Sequence, residues 1–382
     1  MLRKRLRSGY TTGACAAAAA KAATLLVMRH ALCAMSESPA TAVDIPFPDG
    51  SRVGFSIHRS GLKNDGVQCP RKVEDFSGCG VAWASVIKDA GDDPDVTNGA
   101  EIIAEAALLS SNSSSLVIKG GRGVGIITKP GLPVGIGEAA INPVPRKMIS
   151  EAVMEALAGR QSGKPGIEIT ISVTDGEELA KKTLNARLGI SGGLSILGTT
   201  GIVRPISADA WTATISTSMN VAKAMGYGSI VLSAGRASEK AHLRRFAFPD
   251  ESYVMMGDYL ELALLDAARH GFSSVHLCAQ WAKMLKIAMA TPQTHVRHGA
   301  IVMKRAVELL RSLGTDIPET IEFNTAREVF DFINSSCSGR CPALFSDVCS
   351  RAREYAEKIT SGIPVTVHLV SYGGDIIAAS GE

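Results

Sequence analysis

The stretch TTGACAAAAAKAATLLVMRHALCAM, residues 11–35, decides how the first half of this chain folds. Alanine has the highest helix propensity and a threonine hydroxyl can cap a first turn, so the stretch predicts one long helix beginning at Thr11 or Thr12. A surface of alanines also lets a neighbouring backbone approach closely. We therefore expect this helix to be buried beneath another layer of the fold.

The pattern of strands and helices changes near residue 205. Before it, strands and helices are mixed and include a hairpin that turns at Asp49-Gly50, which predicts an α+β domain with a mixed sheet over residues 1–205. After it, helices and strands alternate, which predicts an α/β domain with a parallel, Rossmann-like sheet over residues 206–382. The final strand, residues 364–370, can belong to either domain.

Composition and charge argue against several classes of protein. The 382 residues include 40 basic and 37 acidic side chains, a net charge of +3, which is too balanced for a dedicated nucleic-acid binder. No apolar run approaches the ~20 residues that a membrane-spanning helix needs. The basic residues at the start are separated from the alanines by the polar segment 8–12, unlike a signal peptide, so we expect a cytoplasmic protein.

The eight cysteines predict neither a disulfide framework nor a metal centre. A chain of this length does not depend on disulfides for its core, and the spacing of Cys337, Cys341 and Cys349 suits neither an iron–sulfur cluster nor a complete zinc site. We expect free thiols in a reducing compartment and no bound metal.

Two glycine-rich segments of the first domain are candidate binding loops. In GGRGVGIITKPGL, residues 120–132, exposed N–H groups with Arg122 and Lys129 could hold carboxylates, although a tight hairpin explains the glycines equally well. In GISGGLSILGTTGIVRPIS, residues 189–207, the glycines indicate either a large ligand or close strand packing. Asn185 and Arg187, just before this segment, could form a fork for an anionic group.

An acidic turn, KDAGDDPDVTNG at residues 88–99, is a third candidate. Its clustered carboxylates, Asp92 and Asp93 among them, could bind a cation, grip ribose hydroxyls or act as a base. A solvated turn is an equally good interpretation.

The strand ends of the second domain predict another site, because ligands of open α/β sheets bind at the carboxyl ends of strands. These ends carry Gly235, Gly257 and Asp258, and Lys283 follows the next strand. No GxGxxG spacing follows Gly235, which argues against a dinucleotide. Lys283 opens a cationic segment, residues 283–299, in which His295 could be a general acid or base, or simply structural.

These segments, in this order, resemble the CbiD family, the cobalt-precorrin-5B C1-methyltransferases of anaerobic cobalamin biosynthesis. The resemblance runs from Leu2 to about Gly299. Its matching stretches are LRSGYTTGACAAAAAKAA, KDAGDDPDVTNGAEI, GRGVGIITKPGLPVGIGEAAINPVPRKMI, KTLNARLGISGGLSILGTTGIVRP and, more loosely, MGDYLELAL and KMLKIAMATPQTH.

The resemblance implies transfer of a methyl group from S-adenosylmethionine to C1 of an anionic cobalt tetrapyrrole, with cobalt present only as part of that substrate. The first domain would hold the tetrapyrrole and the second the methyl donor. The expected substrate-binding residues are Thr11, Thr12, Arg122, Lys129, Arg146, Asn185, Arg187, Thr199, Thr200 and Arg204. The expected donor-binding residues are Gly235, Gly257, Asp258 and Lys283, and the expected catalytic residues are Asp92, Asp93 and His295.

Two further expectations accompany this assignment. The partners would be the substrate and either a second copy of the chain or, transiently, neighbouring enzymes of the pathway, but no nucleic acid and no membrane. The alternative function is a non-catalytic carrier of corrinoid intermediates, which would bind the tetrapyrrole but no S-adenosylmethionine.

Overall fold

The computed structural model describes residues 6–31, 39–63, 80–109, 115–158, 166–294, 300–336 and 341–381. The chain divides into two compact units, which are unit 1 (Met1–Ser207) and unit 2 (Ala208–Glu382).

Unit 1 is built on a mixed five-stranded sheet. Its elements are β1 (Gly9–Tyr10), α1 (Thr12–Ala31), β2 (Ala42–Pro46), β3 (Arg52–Ser56), β4 (Arg59–Lys63), β5 (Val81–Ile87), β6 (Glu101–Leu108), β7 (Leu116–Gly120), β8 (Ile126–Ile127), α2 (Pro143–Leu157), β9 (Ile167–Val173), α3 (Gly176–Ala180), β10 (Ile190–Ser191) and β11 (Ile202–Val203). The sheet order is β4-β5-β6-β9-β7, with every pair antiparallel except β7 and β9. Strands β2 and β3 form the expected hairpin across the Asp49-Gly50 turn.

Helix α1 is the centre of the unit 1 core, as its alanines predict. The five alanines from Ala16 to Ala20 are fully buried, and the helix packs on α2 and on strands β5 and β6. The hydroxyl oxygen of Thr11 accepts a hydrogen bond of 3.2 Å from the N–H of Ala14, so Thr11 is the N-cap residue. Larger side chains on this helix would push the sheet and α2 apart.

Unit 2 has its own five-stranded sheet. Its elements are α4 (Ala208–Ala224), β12 (Ser229–Ser233), α5 (Arg236–Phe246), a short 3-10 helix (Asp250–Ser252), β13 (Tyr253–Met255), α6 (Leu260–Arg269), β14 (Ser274–Gln280), α7 (Trp281–Ala288), α8 (Met303–Ser312), α9 (Ala326–Ser336), α10 (Cys341–Ile359), β15 (Val365–Val370) and β16 (Ile376–Ala379). The order is β13-β12-β14-β15-β16.

The sheet of unit 2 differs from the predicted parallel sheet at one edge. Strands β13, β12, β14 and β15 pair in parallel, whereas β16 pairs with β15 in the antiparallel direction, so the sheet is mixed. The strand at residues 364–370 is β15 and belongs to this sheet. Only a short turn joins β15 to β16. A turn of this length reverses the chain and allows antiparallel pairing, whereas a parallel pair would need a longer crossover connection.

Helix α7 differs from the sequence prediction, which gives a cationic segment after the strand but no helix. Its buried face is Trp281, Met284, Leu285 and Ile287, all fully buried. The apolar spacing of a helix was present, but the lysines between these residues obscured it. Among the described helices, none combines the length and apolar content that crossing a bilayer requires.

Candidate functional site

The start of α1 is bound to the second glycine-rich segment of unit 1. The N–H of Leu197 donates to the hydroxyl oxygen of Thr12 at 2.9 Å, and the N–H of Gly13 donates to the carbonyl of Leu197 at 3.0 Å. One residue earlier, the N–H of Thr11 donates to the carbonyl of Gly201 at 3.0 Å. Strand β1 then pairs with β11. Two segments far apart in sequence therefore form one continuous surface.

Glycine is required where these two segments touch. Gly198 has a φ of +132°, and a Cβ atom at this position would lie 2.5 Å from the side chain of Thr11. Any larger residue would be strained and would displace the N-cap of α1.

The first glycine-rich segment packs against the same loop. Strand β8 pairs with β10, the N–H of Leu194 donates to the carbonyl of Gly123 at 2.9 Å, and the N–H of Gly125 donates to the carbonyl of Leu194 at 2.8 Å. A Cβ atom on Gly193 would lie 2.4 Å from the Gly123 carbonyl oxygen. Close packing of strands accounts for glycines at these positions, and it brings the two loops together.

The acidic turn is the third part of this surface, and its carboxylates bind backbone groups within unit 1. Asp92 accepts the N–H of Arg7 at 2.7 Å, and Asp93 accepts the N–H of Ile206 at 3.0 Å. Asp89 accepts the Arg7 guanidinium at 2.9 Å, and this hydrogen bond holds the pKa of Asp89 below its usual range. Asp92 is exposed and Asp93 half-buried, so both carboxylates remain within reach of solvent.

Three of the predicted substrate-binding residues are buried and have structural partners. Thr11 and Thr12 are 5% and 3% exposed and use their hydroxyl groups in the contacts at the start of α1. The side-chain amide of Asn185 donates to the carbonyl of Gly193 at 3.1 Å and holds the loop from within.

The other predicted substrate-binding residues reach the surface of unit 1. Arg122, Thr199, Thr200 and Arg204 are exposed, and Lys129, Arg146 and Arg187 are half-buried. Arg122 lies 3.7 Å from Glu177 with its side chain 90% exposed. Arg204 has no ion-pair partner among the described residues, so its charge is available to a ligand.

Apolar side chains on or beside the same loops are exposed, which the pattern of charges and hydroxyl groups in the sequence does not indicate. They are exposed although each is large and hydrophobic: Ile126, Ile136, Leu197 and Ile206. Ile206 also adopts a φ of +56°, which is unusual for a β-branched residue. Exposed apolar groups among cationic ones suit a ligand with a flat apolar body and an anionic rim. For Ile126, Ile136 and Leu197, a glycine adjacent in the chain was the available signal.

In unit 2, Lys283 joins the ends of three strands. Its ammonium donates to the carbonyl of Ala234 after β12 at 2.6 Å, and it lies 3.0 Å from a carboxylate oxygen of Asp258 after β13. Lys283 itself follows β14 on α7. The carbonyl of Gly257 lies 3.4 Å from the same nitrogen. The space around the Cα of Gly235 is open. The four predicted donor-binding residues therefore lie together at this edge.

Asp258 has a second partner from the segment after α7. The Thr294 hydroxyl donates to Asp258 at 2.9 Å, and the buried ammonium of Lys286 donates to the Thr294 carbonyl at 2.8 Å. Burial lowers the pKa of Lys286. His295, the predicted acid or base, lies outside the described residues.

Trp211 is an aromatic group at this edge that no sequence motif indicates. Its indole ring would lie 3.2 Å from a Cβ atom on Gly257, whose φ is +60°, and the side chain is 43% exposed. A partly exposed tryptophan beside a glycine offers a stacking surface to a ligand. A shallow groove of 230 Å³, lined by Tyr259, Pro292 and Gln293 among others, lies next to Asp258 in the chain.

A larger groove of unit 1 lies elsewhere. It has a volume of 590 Å³ between the β2–β3 hairpin and α2, lined by Phe47, Lys147 and Glu155 among others. None of the predicted substrate-binding residues lines it. We place the candidate site at the loops described above, since broad and shallow surfaces suit a large ligand without enclosing it.

Comparison with known proteins gives a consistent result. The CbiD family model matches residues 2–205. The cobalt-precorrin-5B C(1)-methyltransferase of Desulfotalea psychrophila is 47% identical to this chain, and the alignment covers 98% of each. Proteins of the same name from Geobacter metallireducens and Geobacter sulfurreducens are 43% and 44% identical, again over 98% of each chain.

A crystal structure of the cobalamin biosynthesis protein CbiD from Archaeoglobus fulgidus is 30% identical, covers 79% of this chain and 84% of its own, and has a TM-score of 0.37. The family model covers more than half of the chain, and the identity to curated relatives extends along nearly all of it. The resemblance seen in the sequence is thereby confirmed, and this chain belongs to the CbiD family.

Proposed function

We propose that this chain transfers the methyl group of S-adenosylmethionine to C1 of cobalt-precorrin-5B, giving cobalt-precorrin-6A in cobalamin biosynthesis. The observation that carries the proposal is the 47% identity, over 98% of both chains, to a protein named for that methylation. S-adenosylmethionine is the co-substrate, and cobalt is part of the tetrapyrrole substrate.

The loops of unit 1 are the proposed binding surface for the tetrapyrrole. Arg122, Lys129, Arg187 and Arg204 would pair with its carboxylates, and the exposed Thr199 and Thr200 would donate hydrogen bonds to them. Exposed apolar side chains such as Leu197 would contact the macrocycle. The near-neutral total charge is compatible with this, because a local potential attracts an anion.

The strand-end edge of unit 2 is the proposed site for the methyl donor. A sulfonium is a cation, so the carboxylate of Asp258 and the face of the Trp211 ring are groups that attract it. Lys283 would orient both loops, and the open space at Gly235 would admit the donor close to the backbone.

The main contribution of the protein to this reaction is to position the methyl donor against C1 of the tetrapyrrole. The sulfur leaves as a neutral thioether, so the donor is already activated, and C1 of the ring attacks the methyl carbon in line. Correct alignment of the two is worth roughly 7–11 kcal/mol. Asp92 and Asp93, which reach solvent on unit 1, and His295 remain the candidates for receiving a proton.

A cytoplasmic location is the proposed setting for this reaction. Cys15 and Cys278 are free and buried, which agrees with a reducing compartment. Burial raises the pKa of Cys15 to about 12, so its thiol stays protonated and is no nucleophile at neutral pH. Association with a second copy, or transiently with neighbouring pathway enzymes, is part of the same proposal.

The test is a reconstituted reaction with purified protein, S-adenosylmethionine and cobalt-precorrin-5B. We expect the tetrapyrrole to gain the mass of one methyl group while S-adenosylhomocysteine accumulates in equal amount. Calorimetry with S-adenosylmethionine is run in parallel. Tight tetrapyrrole binding with neither donor binding nor product would refute the proposal and favour a carrier of corrinoid intermediates.

A further inference from the structure

Three histidines of unit 2 come together between α5 and the sheet. None of them is among the residues of the proposed donor site. His242 is on α5, His276 on β14 and His368 on β15. The Nδ1 atom of His276 lies 3.1 Å from Nε2 of His242 and 3.1 Å from Nε2 of His368. The three converging nitrogens all lie within 4.8 Å of one another.

Hydrogen bonding alone does not account fully for this arrangement. An imidazole nitrogen has either one hydrogen or one lone pair in the ring plane, so Nδ1 of His276 cannot make two full hydrogen bonds. A cation at the point of convergence would accept one lone pair from each ring.

We propose that His242, His276 and His368 form a binding site for a divalent transition-metal ion of the class that prefers imidazole ligands, such as Zn²⁺ or Co²⁺. Three nitrogens around a tetrahedral Zn²⁺ at about 2.0–2.1 Å lie about 3.3–3.4 Å apart. Two of the observed separations are 3.1 Å and the third, between His242 and His368, is at most 4.8 Å, so these two outer rings must rotate towards each other for all three nitrogens to bind one ion.

The surroundings hold the rings in a state suited to binding. His242 is fully buried and His368 is 2% exposed. Both rings are therefore shielded from bulk water and held in place by their neighbours.

An outer contact orients one of the ligands. The hydroxyl group of Tyr253 lies 3.1 Å from Nδ1 of His242, the nitrogen that points away from the convergence. Such a contact fixes the orientation of a ligating ring. The rings of Phe246 and Phe248 pack against His242 and exclude water from its side. His276 is only half-buried, which leaves a route for an ion to enter.

The test uses the full chain, prepared without a histidine tag and stripped with a chelator. Calorimetry with Zn²⁺ and absorption spectroscopy with Co²⁺ should each give one ion per chain, the Co²⁺ complex showing the visible bands of tetrahedral coordination. Loss of an outer contact commonly weakens metal binding about 10–100-fold, so removing a ligand with His276→Gln should weaken it at least about 100-fold. Tyr253→Phe should weaken it about 10-fold.

The matched control is His58→Gln, because His58 is an exposed histidine of unit 1. It should bind both ions as the wild type does. The unfolding temperature gives an independent readout, since Zn²⁺ should raise it in the wild type and in His58→Gln but leave it unchanged in folded His276→Gln. No binding by the wild type at millimolar Zn²⁺, or equal binding by His276→Gln, would overturn the proposal.

Discussion

The ammonium nitrogen of Lys283 lies 3.0 Å from a carboxylate oxygen of Asp258 and 2.6 Å from the carbonyl oxygen of Ala234. One cation on α7 thus fixes two loops that follow two different strands. With both loops held, Asp258 keeps a constant position at the edge where we place the methyl donor, and the Thr294 hydroxyl restrains it from the other side.

Replacing Asp258 should weaken donor binding specifically. Asp258→Asn preserves the shape and an acceptor for Thr294 but removes the charge that would face the sulfonium in the proposed donor site. We expect the KM for S-adenosylmethionine to rise about 10-fold, as for loss of a charged hydrogen-bonding group, with a smaller change in the KM for the tetrapyrrole. Initial rates measured at varied donor concentration check this.

Asp316→Asn is the control for that variant, since Asp316 is an exposed carboxylate of the same unit. It should leave both constants unchanged. An Asp258→Asn protein with wild-type donor kinetics would remove Asp258 from the proposed donor site.

Two threonines of unit 1 should separate stability from ligand binding. Thr12→Val leaves the N–H of Leu197 without its acceptor in a partly buried contact, so the free energy of unfolding should fall by about 1 kcal/mol. Thr199→Val removes an exposed hydroxyl group and should change it by less than about 0.5 kcal/mol. Urea denaturation measures both.

The same two variants should differ in the opposite sense in their affinity for the tetrapyrrole. Thr199→Val should weaken tetrapyrrole binding, measured by absorbance titration, and folded Thr12→Val should bind nearly as the wild type. Equal stability loss in the two variants would show that burial of the Thr12 hydroxyl is not what holds the loop to α1.

The buried alanine helix and the order of the elements follow from local physics, which is why the sequence predicts them. Helix propensity at Ala16–Ala20 and the alternation beyond residue 205 both act over short stretches of chain. The antiparallel strand β16 and helix α7 depend on packing against distant elements, so the sequence predicts them poorly.

In the candidate sites too, the sequence predicts what local rules determine and not what depends on distant contacts. Asp258 and Lys283 come together because strand ends share one edge, a rule that the sequence alone supports. Thr12 is instead held by Leu197, 185 residues away, a contact that the sequence does not predict. The histidines at 242, 276 and 368 have no sequence spacing in common, and only the pairing of β14 with β15 beneath α5 brings them together.

Removing the exposed cation of Arg204 should weaken substrate binding in a salt-dependent way. The guanidinium is exposed, so its attraction for a carboxylate should be worth less than about 1 kcal/mol, a loss of about 2- to 5-fold in affinity for Arg204→Ala. The loss should shrink as salt rises, because salt screens exposed charges. Dissociation constants at several salt concentrations test this.

Lys63→Ala removes an exposed cation from β4, where Lys63 pairs with Glu105. Because β4 contributes nothing to the proposed tetrapyrrole surface, this variant should match the wild type at every salt concentration. A salt-independent loss in Arg204→Ala would indicate damage to the fold rather than a lost charge contact.

The carboxylate of Glu155 should make the stability of unit 1 depend on pH in the acid range. Arg52 binds it through two hydrogen bonds of 2.9 Å, and the nearly buried ammonium of Lys21 lies 2.7 Å away. These partners, Arg52 foremost, lower the pKa of Glu155 from 4.5 to about 2 against the opposing effect of burial. The stabilisation is therefore fully present above about pH 4.5 and is lost as the pH falls towards 2.

The variant Glu155→Gln isolates this contribution. Because Glu155 is partly exposed, we expect it to be less stable than the wild type by only about 1 kcal/mol at pH 7. The difference should narrow between pH 4.5 and pH 2, since protonation removes from the wild type the charge that the variant already lacks. Urea unfolding of both proteins across this range measures the gap, with Glu151→Gln, one turn earlier on α2, as the control. A constant gap at all pH values would mean that the packing of Glu155, and not its charge, stabilises α1 against α2.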